Sequence, residues 1–210
     1  MPVSLTQDQI DFAAQVCSRL CHDLISPVGA IANGLEILAD ETDRDMQQQV
    51  IELLTQSVQV TSAKLRFFRL AFGAPGGMEG AVDAREVCSA AKDYIEAGKA
   101  ALQWDLTDAQ LPKPHVKSLL VSAMLCADSL VRGGTISVSA AADGGFNIVG
   151  QGTKVVLDPE IANLMAGSIT DAHQTSRYAP YILLLGLAQT GGLTPYLQVD
   201  EASVSVRLAS

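Results

Sequence analysis

The chain has 210 residues, 48% of them hydrophobic, and a formal net charge of -9 at pH 7. These values predict a globular fold with a substantial core, and the acidic balance disfavours nucleic-acid binding, which requires a basic face to neutralise phosphates. No stretch reaches the roughly 18 unbroken apolar residues of a membrane helix, so we expect a soluble cytoplasmic protein. The four cysteines lie in apolar segments without a CxxC pair and are expected to be buried, reduced thiols rather than metal ligands.

Two long amphipathic helices are predicted in the first third of the chain. Apolar residues recur at helical spacing over Thr6–Leu38, and Thr6 with Gln9 three residues later predicts a capping box at its start. The same spacing returns over Met46–Phe72, after an acidic break at 40–45. The two helices are therefore predicted to form an antiparallel hairpin.

The rest of the chain has a mixed pattern. The glycine-rich segment 73–80 is predicted to be a linker between a hairpin domain, residues 1–75, and a second domain, residues 81–210. The second domain is predicted to be an α+β sandwich with helices on one face of a largely antiparallel sheet. Its helices are predicted at about 84–100, 116–131, 159–165 and 178–189, and its strands at about 102–106, 135–141, 146–149, 194–199 and 203–208.

His22 is predicted to point away from the buried side of the first helix. On a helical wheel it falls about 120° from Ile10, which lies on the apolar stripe, and Ser18 and Ser26, one turn away on either side, leave the ring uncrowded. An exposed imidazole is in large part unprotonated near neutral pH, which makes it a nucleophile suited to phosphoryl transfer. Asp23 is placed to hydrogen-bond one ring nitrogen and so leave the other free to attack.

Pro27 follows the histidine by five residues and has no N–H to donate to the carbonyl of Asp23, which predicts a bend in the helix. Composition alone would leave His22 as an isolated surface histidine without a function. A metal site built from Cys17, Cys21 and His22 is disfavoured, because the cysteines are predicted to face the core and the histidine to face solvent.

The string from His22 to Glu36, HDLISPVGAIANGLE, resembles the phospho-acceptor helix of bacterial histidine kinases. More closely, it resembles the ChpT-type histidine phosphotransferases, which relay phosphoryl groups in bacterial cell-cycle control. The resemblance implies that His22 is phosphorylated, that Asp23 acts as its orienting and acid-base partner, and that the second domain resembles a degenerate kinase ATPase domain. From the reach of a docked partner, we expect recognition residues on the same helix face: Ser18, Ser26, Gly29 and Asn33.

A homodimer is expected because two hairpins together can close a four-helix core over stripes that a single hairpin leaves exposed. A second domain that folds back over the stripe is the alternative. Nucleotide binding is expected to be lost, because three kinase motifs are missing or weak. Where kinases carry a magnesium-binding asparagine, this chain reads SAMLCA at 122–127, and the match of Gly150-Gln151-Gly152 to their DxGxG loop is only faint. The last helix has no GxGxxG motif to bind phosphates.

The expected function is transfer of a phosphoryl group between response-regulator receiver domains, including that of a hybrid histidine kinase. No cofactor is expected in this chain, because the receiver would supply the magnesium ion. An ATP-dependent sensor histidine kinase and a non-catalytic dimeric scaffold are the alternatives. The second domain is expected either to help dock the receiver or only to stabilise the dimer, and the sequence favours neither role.

Overall fold

The computed structural model describes residues 5–73, 77–106, 110–170 and 173–210. Helices α1, Gln7–Asp40, and α2, Arg44–Ala71, pack against each other as an antiparallel hairpin. The predicted capping box is confirmed, since the Thr6 hydroxyl accepts from the N–H of Gln9 and the Gln9 side chain accepts from the N–H of Thr6. Tight contact between the helices is possible at Gly34, where a Cβ atom would lie 2.8 Å from Leu54 Cδ2.

The second half of the chain forms a layer of helices against a sheet, here called the second layer. Its elements are β1 Ala81–Asp83, α3 Ala84–Glu96, β2 Ala100–Asp105, β3 Gln110–Pro112, α4 Lys113–Ser129, β4 Gly134–Ala140, β5 Phe146–Gln151, α5 Pro159–Met165, α6 Ala179–Thr190, β6 Thr194–Val199 and β7 Ser203–Ala209. The main sheet has five strands in the order β2-β4-β5-β7-β6. Strand β2 runs parallel to β4, and the other neighbours are antiparallel, including the predicted hairpin of β4 and β5. A small separate sheet of β1 and β3 was not predicted, because strands of three residues are too short to show alternation.

One face of the sheet carries the core. Val138 on β4, Ile148 on β5 and Val206 on β7 are neighbours in register and point into the core, and α4 packs over them. The helix is buried on almost every side from Val116 to Cys126. Burial of these apolar side chains is the main stabilising contribution to this layer.

The C-terminal end of α2 belongs to the same core. Phe67 and Leu70 are buried in it, and the ring of Phe67 stacks on Tyr94 of α3 with centroids 3.9 Å apart. Lys117 of α4 is 4% exposed and its Nζ donates to the carbonyls of Leu70, at 3.1 Å, and Gly73. This ammonium satisfies carbonyls at the helix end that have no partner within the helix. The predicted domain boundary lies in segment 73–80, of which residues 74–76 are outside the described residues.

The apolar stripe of α1 is only partly covered in the single chain. Leu20 and Leu24 pack against the core that the second layer shares with α2, and α1 also contacts α6. Val28 and Leu35 remain about half exposed, at 49% and 55%. On α2, Ile51, Val58 and Leu65 recur at intervals of seven residues and are similarly exposed.

The prediction that all four cysteines are buried is wrong for two of them. Cys126 is buried and Cys88 is half-buried, but Cys17 and Cys21 are exposed on the uncovered part of the α1 stripe. Helical spacing assigns both cysteines to the apolar face of α1, but it cannot show how much of that face neighbouring elements cover. None of the described helices is long and apolar enough to span a bilayer.

Candidate functional site

His22 lies midway along α1, and its side chain is 86% exposed. Its Nδ1 atom is 3.3 Å from Oδ1 of Asp23, whose side chain is only 16% exposed. An ionised carboxylate can only accept a hydrogen bond, so a hydrogen bond between these two atoms requires the proton on Nδ1. The other nitrogen, Nε2, then keeps its lone pair and is the available nucleophile.

The second oxygen of the Asp23 carboxylate is held by Arg19. Arg19 Nε donates to Asp23 Oδ2 at 2.8 Å across one turn of α1. Each carboxylate oxygen therefore has its own partner, and the plane of the carboxylate is fixed by two contacts. Sequence reasoning did not single out Arg19, although its spacing of four residues from Asp23 is the ordinary spacing of an ion pair on a helix.

Arg19 also connects α1 to the second layer. Its Nη2 lies 3.3 Å from Oδ2 of Asp128 on α4, and the hydroxyl of Tyr181 on α6 lies 3.4 Å from the same oxygen. Burial disfavours a charged Arg19, but the hydrogen bond from its side chain to Asp23 and the two nearby carboxylates outweigh this and raise its pKa. Desolvation raises the pKa of Asp128, and the positive charge of Arg19 opposes that rise. No sequence signal joins Arg19 to Asp128, which is 109 residues away.

The carbonyl of Asp23, which has no intrahelical donor because of Pro27, accepts a hydrogen bond from the second helix. Lys64 of α2 donates from Nζ to the carbonyl oxygen of Asp23 at 2.7 Å. Helix α1 continues beyond Pro27 to Asp40, and Pro27 itself is buried. The missing donor was evident in the sequence, whereas the identity of its replacement required the packing of α2 on α1.

The predicted recognition residues form an open surface beside His22. Ser18, Ser26 and Asn33 are exposed, and Gly29 is half-buried. A Cβ atom on Gly29 would meet nothing within 4 Å. The face is therefore accessible to a partner and contains no bulky side chain at these four positions.

The positions at which the sequence was searched for nucleotide-binding groups are used for packing. Ser122 and Cys126, in the stretch where the resemblance would place a magnesium-binding asparagine, are both fully buried in the core. Gly150 lies inside β5, where a Cβ atom would be 3.3 Å from the Cβ of Cys126. Its small size allows α4 to approach the sheet, which explains this glycine without a phosphate. In the described part of the chain, no three His, Cys, Asp or Glu side chains are grouped so that they could hold a metal ion.

A small cavity lies between α1, α4 and α6 beside the ion pairs of Arg19. Its volume is about 140 Å³, and Asp128, Asp158 and Tyr181 contribute to its walls. Pockets that enclose drug-sized ligands typically have volumes of about 300 Å³ or more. This cavity is smaller than those pockets, and both carboxylates and the guanidinium groups of Arg19 and Arg177 form part of its lining.

Comparison with known proteins identifies the class to which this chain belongs. Residues 84–203 match the family model of the histidine phosphotransferase C-terminal domain. A curated relative is 34% identical over 200 residues, which cover 92% of each chain. The chain belongs to the histidine phosphotransferase family, and its function is phosphotransfer in a phosphorelay of the two-component type.

That relative is the protein phosphotransferase ChpT of Brucella abortus (strain 2308), which confirms the resemblance predicted from the string beginning at His22. A solved structure of a bacterial phosphotransferase aligns over 99% of both chains with a TM-score of 0.85 and 28% identity. The histidine kinase AdeS of Acinetobacter baumannii aligns over 90% of this chain and 97% of its own, at 11% identity and a TM-score of 0.43. The resemblance of the second layer to a degenerate kinase ATPase domain stays a prediction.

Proposed function

We propose that this histidine phosphotransferase carries the phosphoryl group on Nε2 of His22 and exchanges it with aspartates of receiver domains. The lone pair of Nε2 attacks the phosphorus of an aspartyl phosphate, the bond from phosphorus to the aspartate oxygen breaks, and the receiver carboxylate leaves. The imidazole ring becomes positively charged, with its proton still on Nδ1. Transfer to a second receiver is the same step in reverse.

The observation that carries this proposal is the pairing of an exposed ring with a nearly buried, doubly held carboxylate. Asp23 is placed to stabilise the positive charge that develops on the ring of His22 through the contact to Nδ1. Phosphoryl transfer requires in-line positioning and charge neutralisation, and a receiver domain that brings its own magnesium ion supplies both to the phosphoryl group. This chain then needs no metal site of its own.

The receiver is proposed to dock on the face of α1 formed by Ser18, Ser26, Gly29 and Asn33. Gly29→Glu tests this docking, because a Cβ atom added at this position would meet nothing within 4 Å. Gly186→Glu on α6 is the matched control, since a Cβ atom there also meets nothing within 4 Å. We expect Gly29→Glu to raise the KM for a phosphorylated receiver by about tenfold or more, the loss that follows from removing about 1.4 kcal/mol of binding. An unchanged KM, equal to that of Gly186→Glu, would place the docking surface elsewhere.

A homodimer is part of the proposal. The exposed apolar positions Val28 and Leu35 on α1, and the row Ile51, Val58 and Leu65 on α2, support it, because such rows are expected to be buried against another chain. Val28→Glu combined with Leu35→Glu is expected to halve the mass measured by light scattering. The same mass in the variant and in the parent protein would contradict a dimer through this face.

The direct test of the site is phosphoryl labelling from a phosphorylated receiver domain. His22→Ala is expected to accept no label while keeping the far-UV spectrum and the oligomeric mass of the parent protein, because the ring is exposed and its removal leaves no cavity. His115 and His173 remain in this variant and serve as internal controls. Label that persists in His22→Ala would place the phosphoryl group on another residue.

A histidine kinase that uses ATP is the alternative activity, and incubation of the purified protein with labelled ATP separates the two. We expect no label at His22 from ATP, and labelling there would refute the loss of nucleotide binding. The cytoplasm as the place of action, the control of the cell cycle as the pathway and a hybrid kinase as one source of the receiver follow from the resemblance and stay predictions.

A further inference from the structure

Arg19 is the residue that links the site on α1 to the second layer. Its side chain is 18% exposed, and its guanidinium lies between two carboxylates, at 2.8 Å from Asp23 and 3.3 Å from Asp128. The planar guanidinium group can donate from Nε and Nη2 at the same time in fixed directions. The position of Arg19 is therefore set from the second layer, and the orientation of Asp23 is set by Arg19.

We propose that Arg19 is a positioning residue for phosphotransfer: held by Asp128 of α4, it fixes the Asp23 carboxylate so that Oδ1 faces Nδ1 of His22. This inference rests on the proposed roles of His22 and Asp23 and adds the means by which they are aligned. It also gives the second layer a part in the chemistry, because Asp128, which holds Arg19 in place, belongs to that layer.

The electrostatics support a role beyond simple attachment of one helix to another. Asp23 and Asp128 both contact the same guanidinium, so without Arg19 two acidic groups would lie close together with no cation between them. Two ionised carboxylates that lie close together destabilise each other, and either one can relieve the repulsion by turning away or by taking up a proton. Asp23 has only two side-chain torsions, and a turn about them removes Oδ1 from the ring of His22.

The ring of His22 has little else to orient it. With 86% of the side chain exposed, the contact to Asp23 is the hydrogen bond that defines which nitrogen carries the proton. Loss of that contact would allow the proton to occupy Nε2 for part of the time, and a protonated Nε2 cannot attack phosphorus. The expected consequence is a lower rate of the chemical step with little change in receiver binding.

Two measurements on Arg19→Gln test the inference. The first is the tautomer of His22 in the unphosphorylated protein, read from the nitrogen chemical shifts of its ring by long-range proton–nitrogen NMR. We expect the proton on Nδ1 in the parent protein and a mixture with a larger Nε2-protonated fraction in the variant. The second is single-turnover transfer from a phosphorylated receiver, in which kcat should fall by about 10- to 100-fold with KM within about twofold, since a well-placed acid-base group contributes about 10²- to 10⁴-fold.

Asp23→Asn and the double variant with Arg19→Gln complete the cycle. If Arg19 acts through Asp23, the double variant should transfer about as slowly as Asp23→Asn alone. Arg69→Gln is the matched control, because it removes an ion pair of 2.7 Å between α2 and Glu86 of α3 without touching Asp23. That control should retain both the parent kcat and the parent tautomer.

Arg19→Lys covers the case in which Arg19→Gln does not fold. It keeps the charge and most of the side chain, but a single ammonium cannot reproduce the two-directional contact, so kcat should still fall several-fold. A parent tautomer together with a parent kcat, in either folded variant, would overturn the inference. If the parent protein itself accepts no label on His22, the proposed function fails instead, and the two failures are thereby distinguished.

Discussion

Replacing Lys64 by methionine tests whether a lysine on one helix substitutes for the N–H that a proline removes from the other. Lys64→Met retains most of the apolar length of the side chain but removes the donor to the Asp23 carbonyl, which lies 2.7 Å from Nζ. A hydrogen bond from a charged group contributes about 1.5–3 kcal/mol when buried. Because this one is only partly buried and water can replace part of it, we expect a loss of about 1–2 kcal/mol in the free energy of unfolding.

The expected decrease in Tm is about 2–8 °C, from the usual relation of about 2–4 °C per kcal/mol for chains of this size. Urea unfolding and thermal unfolding should both be followed at one fixed protein concentration, since any association shifts the apparent stability. Lys92→Met is the matched control, because Lys92 lies on the exposed side of α3. It should change the unfolding free energy by no more than about 0.5 kcal/mol.

The decisive comparison uses Pro27→Ala as the background. Alanine supplies the N–H that proline lacks, so the Asp23 carbonyl regains an intrahelical donor and no longer depends on Lys64. In that background Lys64→Met should cost less than about 0.5 kcal/mol, which gives a coupling energy of about 1 kcal/mol between positions 27 and 64. An equal loss in both backgrounds would refute this account of why Lys64 occupies its position.

Three further predictions concern stability. Lys117→Met removes the buried donor to the carbonyls of Leu70 and Gly73 and should lower the unfolding free energy by about 2–4 kcal/mol in urea titrations; a loss below about 1 kcal/mol would show that this cap is dispensable. Ser122→Ala should leave the urea midpoint unchanged or raise it, because the buried hydroxyl has no hydrogen-bond partner among the described residues; a clearly lower midpoint would reveal a partner. Desolvation acts to raise the pKa of Asp158, but hydrogen bonds and a nearby arginine outweigh it and lower the pKa. The ionised carboxylate therefore adds to the free energy of unfolding above the ordinary value of 3.8, and this contribution is lost as the pH falls below that value. Asp158→Asn should therefore lose less unfolding free energy than the parent protein on acidification from pH 6 to pH 3. An equal loss in the two proteins would contradict this.

The local parts of this protein could be predicted from its sequence. The capping box at Thr6, the hairpin of β4 and β5 and helix α5 are short-range features, set by spacing and turn residues within a few positions of one another. The same is true of the outward direction of His22, because a helical period assigns every residue to a face. The missing donor at Pro27 was also evident, since it follows from the covalent structure of proline.

Only the tertiary structure decided which groups complete the site. Arg19 reaches Asp128 across 109 positions, and Lys64 reaches the carbonyl of Asp23 across 41 positions. Such contacts depend on how helices pack, and sequence periodicity gives the apolar face of a helix without naming the residue that will lie against it. For the same reason the prediction that Cys17 is buried was wrong, because its exposure depends on which elements cover α1. The sequence thus determined where the ring of His22 points, and packing between α1, α2 and α4 determined how the neighbouring carboxylate of Asp23 is held.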